Sequence, residues 1–255
     1  MNKTAVLLCK CRGEHFQNQS YQEAEDQLSL LNTDIFIVDD LCASVLTNAN
    51  ELNALTNNYK SVIVLACQPR AVKHLFIQNK IDIQHFTAIN LRNNGVQSSL
   101  EELKSFNIEP GKAKRHTIVS SLEVPSWYPI IDQERCTACG RCAKFCLFGV
   151  YRFEDKKLTV RQPLNCKNNC PACARTCPSS AIIFPKIAEG GVISGIEPGT
   201  QKTGISFAQG NIASRLSDRN AMRSSILKAS VIQQAEKERI SALAEIQKTS
   251  DKNHD

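Results

Sequence analysis

Residues 136–146 read Cys136-Thr137-Ala138-Cys139-Gly140-Arg141-Cys142-Ala143-Lys144-Phe145-Cys146, and residues 166–178 read Cys166-Lys167-Asn168-Asn169-Cys170-Pro171-Ala172-Cys173-Ala174-Arg175-Thr176-Cys177-Pro178. The first stretch spaces its thiols C-x2-C-x2-C-x3-C, the second C-x3-C-x2-C-x3-C-P. Cys139, Cys142 and Cys146 recur 31 residues later as Cys170, Cys173 and Cys177, an internal duplication of a four-thiol unit. Three thiols set two residues apart wrap a tight loop around one compact body, and the loop's own N–H groups then turn toward the sulfurs. A cubane iron–sulfur cluster asks for that surround. The fourth cysteine of each run, expected at the start of a helix, is carried to the other cluster. One set is then Cys136, Cys139, Cys142 and Cys177; the other is Cys166, Cys170, Cys173 and Cys146.

Zinc is the alternative occupant, because paired C-x2-C motifs also build structural zinc sites. Zinc needs two such pairs per ion and no trailing x3-Cys, so the full pattern fits iron–sulfur better. Residues 127–187 resemble the bacterial-type dicluster ferredoxin domain, with Cys177-Pro178 in the closing position. That resemblance implies two [4Fe–4S] clusters and one-electron transfer. Two departures stand out: Leu147 follows the first unit where a proline is common, and three residues rather than two separate Cys166 from Cys170. Val150–Phe153 and Leu158–Val160 flank Asp155-Lys156-Lys157 and read as a hairpin, and Ala181–Phe184 reads as a strand. Arg135, Arg141, Lys144, Lys167 and Arg175 lie near the cysteines, as ordinary surface charge or as an offset to negative clusters.

Upstream, apolar strands alternate with helices. Strands are expected at Thr4–Leu8, Asp34–Val38, Ser61–Ala66 and Phe86–Leu91. Helices are expected at Gln22–Leu31, Leu41–Leu55, Pro69–Gln78 and Ser98–Phe106. Continuous apolar strands with intervening helices predict a parallel sheet covered on both faces. The fold class is α/β plus α+β: a small open parallel-sheet domain (1–108), a dicluster ferredoxin domain (127–187) and a helical carboxyl-terminal tail (211–255). The basic, Pro/Gly-punctuated run around Pro110–His116 marks 109–126 as a linker, and the glycines after Gly190 mark 188–210 as a flexible one. In the tail, Ile212, Leu216, Met222, Ile226, Ile232, Ile240, Leu243 and Ile246 recur near helical spacing. This stripe packs on its own protein or docks a partner protein.

Cys9, Cys11, Cys42 and Cys67 follow the first three expected strands, so an open parallel sheet gathers them at its carboxyl edge, where ligand sites form. They are either ordinary buried thiols or the ligands of a third cluster. Val6-Leu7-Leu8-Cys9-Lys10-Cys11-Arg12-Gly13, Cys42 and Ala66-Cys67-Gln68-Pro69-Arg70 resemble the amino-terminal domain of the HdrA family of heterodisulfide reductase components. The resemblance covers about residues 4–92 and implies a cluster on those four thiols. The family's flavin part has no counterpart here: no G-x-G-x-x-G follows a strand, and neither a flavin nor a nicotinamide site is expected.

The chain has 255 residues, 12 of them cysteine, and 31 Lys+Arg against 25 Asp+Glu. A net charge of +6 at this length gives no argument for a nucleic-acid partner. No apolar run approaches a membrane span, and no export signal is read at the start, so a cytoplasmic location with reduced thiols is expected. His15, His74, His85, His116 and His254 are dispersed and are expected to serve packing or surface roles. The sequence therefore predicts an iron–sulfur electron carrier serving redox partner proteins such as reductase or dehydrogenase subunits, with no catalytic residue assigned. The alternative is a redox enzyme component that works on disulfide or sulfur substrates through Cys9 and Cys11, although a one-residue spacing matches the C-x2-C redox motif poorly.

Overall fold

The computed structural model describes residues 4–12, 18–82, 84–199 and 237–241. The chain divides into two units, 1–202 and 203–255. In the second, the described residues 237–241 are helical, and the rest of the expected tail stripe lies outside the described residues.

Five parallel strands form the sheet: β1 (Thr4–Cys9), β2 (Asp34–Val38), β3 (Ser61–Ala66), β4 (Phe86–Asn90) and β5 (Lys114–Ile118), in the order β4-β3-β1-β2-β5. β1 is central, and its residues Ala5 to Leu8 are buried on both faces. The two-residue period of a strand divides them. Leu7 packs with Val62, Val64 and the helices α2 (Leu41–Thr47), α3 (Ala49–Asn58) and α4 (Pro69–Gln78). Val6 and Leu8 pack with Ile63, Leu65 and the helices α1 (Asn18–Leu28) and α5 (Leu91–Lys104). Each such buried aliphatic side chain contributes about 1.5–3 kcal/mol.

The first helix runs Asn18–Leu28 rather than Gln22–Leu31, and three further elements differ from expectation. The Leu41–Leu55 helix is broken at Asn48 (φ −123°, ψ 30°) into α2 and α3. α5 starts seven residues before Ser98, at Leu91, with an extended left-handed break at Gly95 (φ 74°, ψ 174°). The basic run expected inside the 109–126 linker supplies β5, whose Lys114-Arg115-His116 edges the sheet against β2. Charged residues suit an edge strand, because they discourage pairing with another chain.

Beyond the sheet, β6 (Ile130–Ile131) pairs antiparallel with β9 (Ile182–Ile183), and β7 (Tyr151–Glu154) pairs with β8 (Lys157–Val160) across the expected turn. Asp155 and Lys156 both take left-handed φ (49° and 57°), the conformation of a two-residue hairpin turn. The duplication is visible in the backbone: helices α6 (Arg141–Phe145) and α7 (Ala172–Arg175) begin 31 residues apart, the offset of the thiols.

Arg70 of α4 binds this segment to the sheet. Its Nε donates to Asp132 Oδ2 at 2.8 Å, and its other nitrogens donate to the carbonyls of Ser180 (2.7 Å) and Val192 (3.2 Å). Part of the expected flexible linker is thereby held in place. There Gly195 (φ 107°) lies so close to α4 that a Cβ would meet the Ala71 Cβ at 2.8 Å.

Candidate metal centres

The first thiol loop is shaped by its entry residue and by left-handed turns. Asp132 Oδ1 accepts the N–H groups of Glu134 and Arg135, each at 3.1 Å, and its carbonyl accepts the Cys136 N–H at 3.0 Å. Ala138 (φ 52°) and Gly140 (φ 70°) then reverse the chain on either side of Cys139. A side chain at Gly140 would be strained, since its φ is left-handed and a Cβ would come within 2.9 Å of the Phe153 ring. In the second loop Asn169 (φ 57°) precedes Cys170 as Ala138 precedes Cys139. Donors point at sulfur: the Arg141 N–H holds the Cys139 thiol below its ordinary range. The Ala181 N–H approaches Cys177 Sγ at 3.3 Å, and the Tyr151 hydroxyl donates to Cys173 Sγ at 3.0 Å. Cys146 caps the end of α6, and Cys177 likewise follows α7, so these two cysteines close a helix rather than open one as expected.

Mutual repulsion among the thiols records which of them meet. Burial pushes Cys142 up to about 11, with Cys173, Cys177 and Cys136 adding to the rise. Burial pushes Cys166 up to about 12, assisted by Cys173, Cys170 and Cys146. Cys177, from the second half, thus acts on Cys142 of the first, as Cys173 does more strongly. Cys146, from the first half, stands near Cys166 and Cys173. Crowded thiols that raise one another ionise together only when a cation takes up the charge, which is the requirement of a metal cluster. The donor set also fits iron–sulfur chemistry, being sulfur alone with hydrogen-bond donors aimed at it. Cys146, Cys166, Cys170 and Cys173 line a cavity of about 460 Å³ that Phe145, Leu147 and Phe148 border. Leu147 is 92% exposed.

The amino-terminal thiols also converge. Cys9 ends β1, Cys42 lies in the first turn of α2, and Cys67 follows β3; with Cys11 they line one cavity at the carboxyl edge of the sheet. Burial pushes Cys9 well up, and Cys11 and Asp40 push it further. Burial also raises Cys67, to about 12, with Cys11 again contributing. The Leu41 N–H approaches Cys9 Sγ at 3.4 Å. All twelve cysteines are free thiols.

Four polar residues unremarked in the sequence gather around Cys42: Asp40 and Lys186 line that cavity, and Ser126 and Tyr128 line a smaller one that shares Cys42, Pro185 and Lys186 with it. Asp40 caps α2 and accepts from Ser126 and from the ammonium of Lys186. Tyr128 donates to the Cys42 carbonyl at 2.5 Å. Lysine in the apolar run Ile182-Ile183-Phe184-Pro185-Lys186-Ile187 was the available signal, since an amine among such neighbours requires a partner. Burial disfavours its charge, but Cys42 and Asp40 outweigh burial and the amine is raised.

Elsewhere the basic residues have local roles. Arg135 pairs with Asp132 and Glu197 at 3.6 Å each, and Arg175 pairs with Glu189. His74 is buried 3.2 Å from Asp132, and His116 stacks on Phe36 at 4.6 Å, both packing roles. His74, Asp132 and Glu134 come within 4.8 Å of one another, but Arg70, Lys73 and Arg135 already meet the two carboxylates. No helix among the described residues is long and apolar enough to cross a membrane.

A family model for a 4Fe-4S binding domain matches residues 127–146. Ferredoxin-3 of Nostoc sp. is 32% identical over 74 residues, covering 22% of this chain and 75% of that protein. The chain belongs to the ferredoxins. An uncharacterized ferredoxin of Methanocaldococcus jannaschii is 49% identical over 61 residues, 24% of this chain and 42% of the relative, so the match spans less than half of that relative's length. A second from the same organism is 34% identical over 59 residues, 34% of its length. The chain thus carries a ferredoxin-type iron–sulfur domain with at least one [4Fe–4S] cluster. In such a ferredoxin the aimed N–H and O–H donors are the groups that tune potential.

Proposed function

We propose that the chain passes single electrons between redox partner proteins through three cluster sites. Two lie in the midsection, on Cys136, Cys139, Cys142 and Cys177 and on Cys166, Cys170, Cys173 and Cys146. The third lies at the sheet edge, on Cys9, Cys11, Cys42 and Cys67. When bound, [4Fe–4S] clusters supply one-electron redox chemistry. The chain's own residues ligate, exclude water and set the local field.

The observation that carries this reading is the convergence of thiols from distant positions into sulfur-only groups. For the amino-terminal site the likeness to the HdrA amino-terminal domain adds support. Basic residues outnumber acidic ones ten to four between Trp127 and Ile187, which favours partners with an acidic face. A cytoplasmic location belongs to the same reading. The disulfide-reducing alternative needs an accessible, acidic thiol; Cys9 is buried and raised, the opposite condition, which leaves that reading to the half-buried Cys11. Anaerobic reconstitution tests the proposal: about twelve irons per chain are expected at four per cluster, and about eight would remove the third site. A colourless protein holding zinc would overturn the whole reading.

A further inference from the structure

Lys186, 146 residues along the chain from its partner Asp40, reaches the amino-terminal cavity. It follows β9, and its side chain is 6% exposed. Three polar groups fix it. The ammonium pairs with Asp40 and donates to Ser126 Oγ at 3.0 Å. The backbone on both sides is strapped by Arg92 of α5, which donates to the carbonyls of Pro185 and, at 3.0 Å, Ile187. Asp40 is anchored in turn at the start of α2, the helix that carries Cys42. A lysine so buried, held from three elements beside four thiols, is a built feature of the cavity wall.

We propose that Lys186 is a positioning residue that sets the potential of the amino-terminal site: its fixed ammonium stabilises the added negative charge when a cluster on Cys9, Cys11, Cys42 and Cys67 is reduced. The inference rests on the three-site reading above. Its physical basis is Coulombic. Reduction adds one electron to an already anionic sulfur-ligated group, and a nearby buried cation favours the reduced state more than the oxidised one. Asp40 counters part of that charge, but it also prevents the amine from swinging away. The ferredoxin segment therefore contributes the one lysine that lines the amino-terminal cavity among the described residues.

The test compares Lys186→Gln, whose amide still donates to Asp40 without charge, and Lys186→Arg, which keeps the charge. Full-length wild type and both variants are reconstituted anaerobically, assayed for iron, and titrated with dithionite under paramagnetic resonance. The expected result is unchanged iron in all three, with the resonance lost in Cys67→Ser moved to more negative potential in Lys186→Gln. The other resonances stay in place, and Lys186→Arg lies close to wild type. An unmoved resonance in Lys186→Gln at full iron content overturns the proposal, as does an equal shift in Lys186→Arg. Wild type with only about eight irons, unaltered by Cys67→Ser, fails the three-site reading itself and takes the proposal with it.

Discussion

Arg70 and Asp132 form a buried ion pair, Nε to Oδ2 at 2.8 Å, with side chains 2% and 3% exposed. It joins the helix following Cys67 to the turn preceding Cys136. Asp132 also receives the loop N–H groups, so the pair orients the entry of the first thiol loop from outside it. Removing one partner of a buried pair leaves an uncompensated charge at a cost of about 3–5 kcal/mol. Arg70→Met is therefore expected to lower the denaturant midpoint of the loaded protein. Arg70→Met/Asp132→Asn is expected to recover part of the loss, and a double-mutant cycle measures how much.

The proposed exchange of fourth ligands makes the cysteine variants informative. Cys146→Ser lies in the first half of the sequence but is expected to deplete the set containing Cys166, Cys170 and Cys173. Cys177→Ser lies in the second half but is expected to deplete the set containing Cys136, Cys139 and Cys142. Each leaves about four fewer irons. Resonance spectra of the reduced variants show which centre is lost, and the opposite assignment would contradict the exchange.

The Tyr151 hydroxyl donates to Cys173 Sγ at 3.0 Å. A donor to ligand sulfur stabilises the more negative, reduced state. Tyr151→Phe is expected to keep the iron content and lower the potential of that centre. A bond of about 1 kcal/mol corresponds to roughly 40 mV for a one-electron couple. Potentiometric titration followed by resonance reads the shift directly.

Far from sulfur, Tyr59 donates to Asp34 Oδ2 at 2.6 Å, and burial together with that carboxylate pushes the phenol up to about 12 from 10. A group raised on folding keeps its full contribution below its unfolded pKa and loses it as pH climbs through the folded value. Wild type is thus expected to be more stable than Tyr59→Phe at neutral pH, with the advantage declining between pH 10 and about 12. Denaturant titrations of both proteins across that interval give the curve.

Much of this was legible from local pattern. Ser61–Ala66 is β-branched and apolar almost throughout, and it forms β3 at the expected bounds. The thiol spacings carried the midsection, because a tight loop is a short-range feature. Position along the strands carried the amino-terminal site, since a parallel sheet gathers its strand ends at one edge. What escaped depends on partners distant in sequence. Lys114–Ile118 is too polar to signal a strand, and its pairing with β2 comes from the sheet already formed. Asp40 and Lys186 lie 146 residues apart, and neither residue's neighbours announce the other. Asn48 breaks its helix where the apolar pattern continues unbroken.

The strap from Arg92 to Pro185 and Ile187 has a practical corollary for anyone dividing the chain. A fragment ending before Trp127 would retain all four amino-terminal cysteines yet lose Lys186, Tyr128 and the backbone that roofs them. Its cavity would lose two of its lining residues, Pro185 and Lys186. The two modules suggested by the motifs are therefore not severable parts, and an excised fragment must run through at least Ile187 to keep that chamber closed.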